Sequence, residues 1–369
     1  MLSQLLALGV VAATVSRAAA QDVLPDPMPE SAVVEGAPLN GPGKECEPYY
    51  NAAVANTVAS FPSIWETATI IPGDINAEAK WAAIQPNVPD IAPKGTVLGD
   101  FSAMNYSSED PDCWWTNTKC TNPKTGGIAP DVSIMNPPRT LGYAFDDGPN
   151  CSHNAFYDYL KSQNQKATMF FIGSNVLTWP LETARAVTDG HEVCVHGWSH
   201  QYMTAFESAD AFAELYYSLQ AVKLTAGVTP TCWRPPFGDV DDRIRAIAAG
   251  LGLRTVLWEY DSQDWQVGTT AGFTADRVDK EYDTMISDAK QGKFDNIGTM
   301  ILAHELNEFT MGEAMKYYPK LKEVFKYIVP VATGTNLTQP YVEEGYTMQN
   351  FAQCRSISPM SRCAKTNLL

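Results

Sequence analysis

Residues 139–149 read Arg-Thr-Leu-Gly-Tyr-Ala-Phe-Asp-Asp-Gly-Pro. The apolar run Leu141 to Phe145 predicts a short buried strand, and Asp146-Asp147-Gly148-Pro149 ends it in a polar turn. A helix is expected next, near Ser152 to Ser162. The same unit recurs downstream. Strands are predicted at Ala167 to Ile172, His191 to Val195, Thr231 to Trp233, Thr255 to Trp258 and Thr299 to Ala303. Between them lie helical patterns. Ser208 to Ala226 has Ser208 as its N-cap and Gly227 as its stop, with Phe212, Leu215, Tyr216, Leu219 and Val222 at helical spacing. Val240 to Ala249 ends at Gly250, and a further helix is expected at Thr274 to Ala289. Tyr318 to Ile328 carries Pro319 at an early position. Alternating strand and helix implies parallel strands joined by right-handed crossovers, in a barrel or a doubly wound sheet.

Polar residues follow these strands directly. Asp146 and Asp147 end the first, and His196 ends the third, with His200 four residues on. Arg234 follows the fourth, Asp264-Trp265 the fifth, and His304-Glu305 the last. In a barrel such residues converge on one mouth. Two histidines four apart, with Asp147, form a two-His, one-carboxylate ligand set that leaves positions open. Adjacent carboxylates at a strand end point in different directions, so Asp146 is available as a base beside a ligated Asp147.

The chain has 369 residues, with 26 Lys and Arg against 42 Asp and Glu, a formal net charge of −16. That balance excludes a nucleic-acid binder, because phosphates are held by clustered cations. Leu5 to Ala13 is apolar and Ala18-Ala19-Ala20 is small, so residues 1–20 are expected to be a signal peptide. Eight cysteines, an even number, fit disulfides outside the cytosol, and none forms a Cys-x-x-Cys pair of the thiolate-zinc kind. Bridges Cys113–Cys120 and Cys354–Cys363 are expected; Cys194 and Cys232 either pair or pack as thiols. Sequons occur at Asn105, Asn150 and Asn336. The expected organisation is an irregular extension over 21–138 that begins as a proline-rich arm, a catalytic domain over 139–330, and a short tail over 331–369. A secreted or cell-wall monomer with no membrane-spanning segment in the mature chain is expected.

The residues Phe145-Asp146-Asp147-Gly148-Pro149, His196-Gly197-Trp198-Ser199-His200, Arg234-Pro235-Pro236-Phe237-Gly238, Asp261-Ser262-Gln263-Asp264-Trp265 and Ile301-Leu302-Ala303-His304 stand in chain order. They resemble the five motifs of the polysaccharide deacetylases, the NodB-homology domain of carbohydrate esterase family four. Cys113-Trp114-Trp115-Thr116 and Asn150-Cys151-Ser152-His153-Asn154-Ala155-Phe156 resemble the fungal chitin deacetylases in particular. The resemblance implies a distorted (β/α) barrel. It implies that Asp147, His196 and His200 bind a divalent metal, zinc first and cobalt as the alternative. It gives Asp146 the role of general base and His304 that of general acid. Arg234 would orient Asp146, and Asp264 would orient His304. The backbone N–H of Phe237 would meet the oxyanion, and Trp265 and Leu302 would enclose the acetyl methyl. Chitin or its oligosaccharides would be the substrate. De-O-acetylation of xylan, or chitin binding in the wall by a weakened site, are the alternatives. Two positions depart from the family's pattern. Gly197 replaces a serine or threonine whose hydroxyl stiffens the second-motif loop, and Phe237 replaces a tyrosine.

Overall fold

The computed structural model describes residues 45–356. The expected signal segment, the proline-rich arm from Pro25 to Pro42 and Cys363 lie outside them. Eight strands form one all-parallel, curled sheet. They are β1 Thr140–Gly148, β2 Thr168–Phe171, β3 Glu192–Val195, β4 Cys232–Trp233, β5 Arg254–Thr255, β6 Tyr260–Asp261, β7 Thr299–Leu302 and β8 Tyr327–Val329. The spatial order is β5-β4-β3-β2-β1-β7-β6, and β8 pairs with the start of β1. No pairing joins β5 to β6, so the sheet is an incompletely closed, distorted (β/α) barrel. Val132 of the extension bridges to Val256 at the open edge.

The α-helices are α1 Ala52–Thr57, α2 Ile75–Ile84, α3 Trp115–Thr118, α4 Asn154–Ser162, α5 Gly173–Thr178, α6 Pro180–Thr188, α7 Ser208–Ala226, α8 Asp242–Gly250, α9 Ala275–Lys290, α10 Glu308–Val324, α11 Val331–Gly334 and α12 Phe351–Ser356. No described helix is long and apolar enough to cross a membrane.

The strand period of two builds the site. Ala144, Phe170, Cys194, Cys232, Val256 and Met300 form one fully buried cluster inside the barrel. Two residues further along the same strands stand Asp146, Ile172, His196, Arg234 and Leu302. Side chains alternate across a strand, so this second layer sits above the first and faces the mouth. Residues of opposite parity, such as Tyr143 and Phe145, point outward under the helices. The Phe145 ring meets Phe156 of α4 edge-on at 4.9 Å between centroids.

Several sequence expectations require correction. The helix expected at Tyr318 to Ile328 is α10, which begins ten residues earlier, at Glu308, and ends at Val324. Its start is a capping box between Asn307 and Thr310, and Pro319 lies inside it. The proline removes the N–H that would bond Met315 O. The Tyr159 hydroxyl donates to that carbonyl instead, at 3.3 Å. The next residues, Tyr327–Val329, form β8 rather than helix. Ser208 is the first residue of α7, and Glu207 occupies the cap position without a side-chain cap bond. The strand expected through Trp258 stops at Thr255, and β6 follows at Tyr260.

Three disulfides are described: Cys46–Cys151, Cys113–Cys120 and Cys194–Cys232. Cys354 is also disulfide-bonded, but the expected pairing with Cys363 lies outside the described residues. Cys194–Cys232 links the neighbouring strands β3 and β4, one layer below His196 and Arg234.

Candidate active site and metal centre

A cavity of about 680 Å³ opens at the C-terminal ends of the strands. Asp146, Asp147, His196, His200, Phe237, Trp265, Leu302 and His304 all line it. That is a usual size for a small-molecule site. Arg234 and Asp264 are fully buried behind the lining.

Asp146 and His304 belong to adjacent ladders. Asp146 N–H donates to Ala303 O at 3.0 Å, and Glu305 N–H donates to Asp146 O at 2.8 Å. Continued β1–β7 pairing therefore fixes the two side chains next to each other. Arg234 Nη1 donates to Asp146 Oδ1 at 2.6 Å. Burial pushes the Asp146 carboxyl up to about 6, although the Arg234 guanidinium pulls it down. His304 Nδ1 meets Asp264 Oδ1 at 2.5 Å, and His304 N–H donates to Asp264 Oδ2 at 3.1 Å. Burial disfavours an imidazolium there. The carboxylate of Asp264, aided by Asp147 and Asp146, overcomes that and pushes His304 up to about 10. The site thus holds two titratable groups in opposite states at neutral pH, a deprotonated carboxylate and a protonated imidazole.

Asp147 turns away from Asp146 because β1 shifts register between Phe145 and Gly148 and Asp147 adopts φ 71°. Its Oδ1 lies 3.1 Å from His200 Nε2 and 3.5 Å from His196 Nε2. One donor atom from each of the three residues falls within 4.8 Å of the others. His196 Nδ1 lies 2.7 Å from Arg234 O. A carbonyl can only accept, so that nitrogen carries the proton and Nε2 presents its lone pair. Burial and then His200 push His196 down to about 3, keeping it neutral. Burial works against the charge of Asp147, but the His200, His304 and His196 imidazoles hold its carboxyl well below the usual range. Asp147 Oδ1 is buried and has no hydrogen-bond donor. Two imidazole nitrogens and one carboxylate oxygen, gathered about one point, fit a divalent cation.

The second-motif loop is held by a residue that the sequence analysis does not single out. Gly197 has φ 71°, a backbone that favours glycine. A Cβ there would lie 3.5 Å from Glu214 Oε2, so backbone conformation rather than space selects glycine. Glu214, buried on α7, accepts from Trp198 N–H at 2.8 Å, Ser199 N–H at 2.9 Å, Ser199 Oγ at 2.7 Å and Ala68 N–H at 2.9 Å. The three bonds from Trp198 and Ser199 supply the stiffness that position 197 lacks, and the fourth ties the extension to the same carboxylate. The signal was present as one acid inside the apolar run Ala211-Phe212-Ala213-Glu214-Leu215-Tyr216. Glu214→Gln is expected to weaken divalent-ion binding about 10- to 100-fold, since outer residues that orient a ligand have effects of that size. Isothermal titration of the metal-stripped variant checks this, and unchanged affinity would remove Glu214 from the role.

Glu305 is a second unanticipated support. Its buried carboxylate accepts from Asn150 N–H at 3.0 Å and Tyr157 Oη at 2.8 Å, and pairs with His153 Nδ1 at 2.7 Å. It ties the turn after Asp147 to the strand of His304. Phe237 takes φ 58°, ψ 7°, and its ring stacks on Tyr202 at 4.2 Å. Asn105 and Asn336 are exposed. Asn150 is half-buried in the cavity wall, and its Nδ2 donates to Leu306 O at 2.6 Å.

Residues 134–256 match the family model described as polysaccharide deacetylase. Chitin deacetylase 2 of Cryptococcus neoformans var. grubii is 51% identical over 312 residues, covering 83% of this chain and 68% of that one. The chitin deacetylase of Amylomyces rouxii is 42% identical over 312 residues, covering 82% of this chain and 73% of its own. The solved chitin deacetylase of Colletotrichum lindemuthianum has a TM-score of 0.49 and 20% identity, over 56% of this chain and 92% of that one.

Proposed function

Because the chain belongs to the polysaccharide deacetylase family, we propose that this cavity hydrolyses the N-acetyl groups of chitin or its oligosaccharides, giving chitosan and acetate. The observation that carries the reading is the base–acid pair at the mouth. The Asp146 carboxyl and the His304 imidazole stand on adjacent strands beside three side chains that could hold an ion.

Asp147, His196 and His200 would hold a divalent cation, zinc before cobalt, since imidazole and carboxylate donors suit both. When bound, the cation supplies Lewis acidity, acidifying water and drawing charge from the amide carbonyl. The chain's own residues do the rest. Asp146 takes a proton from the attacking water, and the oxygen joins the carbonyl carbon. The Phe237 N–H, held by its left-handed backbone, donates to the carbonyl oxygen as charge gathers there. His304 gives its proton to the leaving nitrogen, and the C–N bond breaks to free an amine and acetate. Arg234 keeps Asp146 aimed and ionised, and Asp264 keeps His304 charged and fixed. Trp265 and Leu302 line the cavity as an apolar seat for the acetyl methyl.

The test is acetate release from chitin oligosaccharides beside acetylated xylan at equal enzyme concentration. Release from chitin should vanish with a chelator and return with zinc or cobalt. Release from xylan alone, or from chitin in full after chelation, would overturn the reading.

A further inference from the structure

We propose that Trp65, carried by the irregular extension, is a stacking platform for a second sugar of the bound oligomer, next to the unit being deacetylated. The proposal rests on the chitin reading above and identifies the part of the chain that senses oligomer length.

Trp65 lines the same cavity as Asp147 and His200, although it lies far outside the five motifs. It is 48% exposed, and its φ is 64°. A bulky residue in the left-handed region costs about 1–3 kcal/mol and persists only where its surroundings enforce it. Here both flanks are pinned. Trp65 N–H donates to Ser174 Oγ at 2.9 Å, and that hydroxyl donates to Trp198 O at 2.7 Å. Two residues before, Ser63 O accepts from Trp198 Nε1 at 3.0 Å. Two residues after, Thr67 Oγ1 donates to Gln201 Oε1 at 2.9 Å, and Ala68 is fastened to Glu214. The Phe61 ring lies parallel to Trp198 at 5.9 Å. The fold therefore holds a strained indole in the open cleft with about half of its surface left to solvent. That arrangement has a return only when something apolar covers the ring.

The position selects the occupant. Trp65 is anchored to Ser174, at the start of α5 just after β2. The next residue, Asn175, donates to Asp147 O at 2.8 Å. The proposed acetyl seat, Trp265 and Leu302, follows β6 and β7. In the sheet order those strands lie on the other side of β1 from β2. Trp65 thus stands across the reaction centre from the acetyl seat, adjacent to it along the cleft. A β-linked N-acetylglucosamine ring carries its substituents equatorially. Its faces are C–H surfaces that bury well on an indole. A rigid aromatic platform loses little entropy when covered.

The experiment measures kcat and KM for the chitin dimer through pentamer with wild type, Trp65→Ala and Trp65→Phe, all loaded with zinc. Melting curves establish that each is folded. If the wild type gains efficiency with chain length, Trp65→Ala should erase most of that gain. KM for the pentamer should rise about tenfold, in line with losing one covered aromatic face, and Trp65→Phe should recover part of it. A chain-length gain that survives in Trp65→Ala, or a wild type without one, overturns the proposal. A wild type silent on every oligomer overturns the chitin reading itself, and so is told apart from failure of the platform.

Discussion

Replacing Asp146 by asparagine is expected to cut acetate release about 1,000-fold, the middle of the range for loss of a positioned base. An amide cannot take the water's proton. The side chain keeps its shape and its place on β1, because its backbone bonds to Ala303 and Glu305 do not involve the carboxylate. Its amide oxygen can still accept from Arg234. The guanidinium is fully buried, with Cζ 4.2 Å from the Phe170 ring centroid. It loses its counter-charge but not its hydrogen bond. The stability cost should therefore fall below the ~3–5 kcal/mol of an abandoned buried charge. Three measurements separate base loss from collapse: acetate release, metal content and a melting curve. A variant that is folded and metal-loaded but slow supports the assignment. One that works at the wild-type rate would remove Asp146 from the mechanism.

Asp264→Asn should have the second-largest effect, about 100-fold on kcat at pH 8, and it should change the shape of the pH profile. In the proposed mechanism His304 is the acid and must carry its proton. Its raised value of about 10 keeps it charged through neutrality and loses the proton only as pH climbs through that value. Asp264 is the foremost group opposing burial. Without its charge, burial favours the neutral ring, and the alkaline limb should slide toward neutral pH. Superimposable wild-type and variant profiles would show that Asp264 only packs. Asp264→Glu, which keeps the charge, should restore part of the limb.

The geometry explains why some of this was legible in the sequence. A strand shows its face at every second residue, so Cys194 and His196, or Cys232 and Arg234, declare their relation by number alone. The strand-end acids and histidines could be read in the same way. What escaped depends on contacts between distant segments. Glu214 reads as one more helical residue until Ala68, Trp198 and Ser199 are seen to converge on it. Trp65 sits in a stretch with no periodicity, and contacts to distant Ser174, Trp198, Gln201 and Glu214 carry it into the cleft. β8 hid inside a helical pattern because Leu321, Val324, Phe325 and Ile328 keep helical spacing past the end of α10 at Val324. The Cys46–Cys151 bridge spans 105 residues, and nothing local marks it.

The extension's packing has a practical meaning for where this enzyme begins and ends. The family model spans 134–256 and so excludes Asp264, His304 and Trp65. A barrel cut free at residue 139 would fare little better. It would lose Lys94, which pairs with buried Asp241 at 2.6 Å and is itself only 3% exposed. It would uncover the Trp198 ring between His196 and His200, which Phe61 and Ser63 now shelter. It would leave Glu214 a donor short and strip Trp115 from the face of Gly238, beside Phe237. The family-matched core and the folding unit are therefore different objects. The smallest piece expected to behave as this enzyme includes the irregular stretch, which serves as the outer wall of the active site.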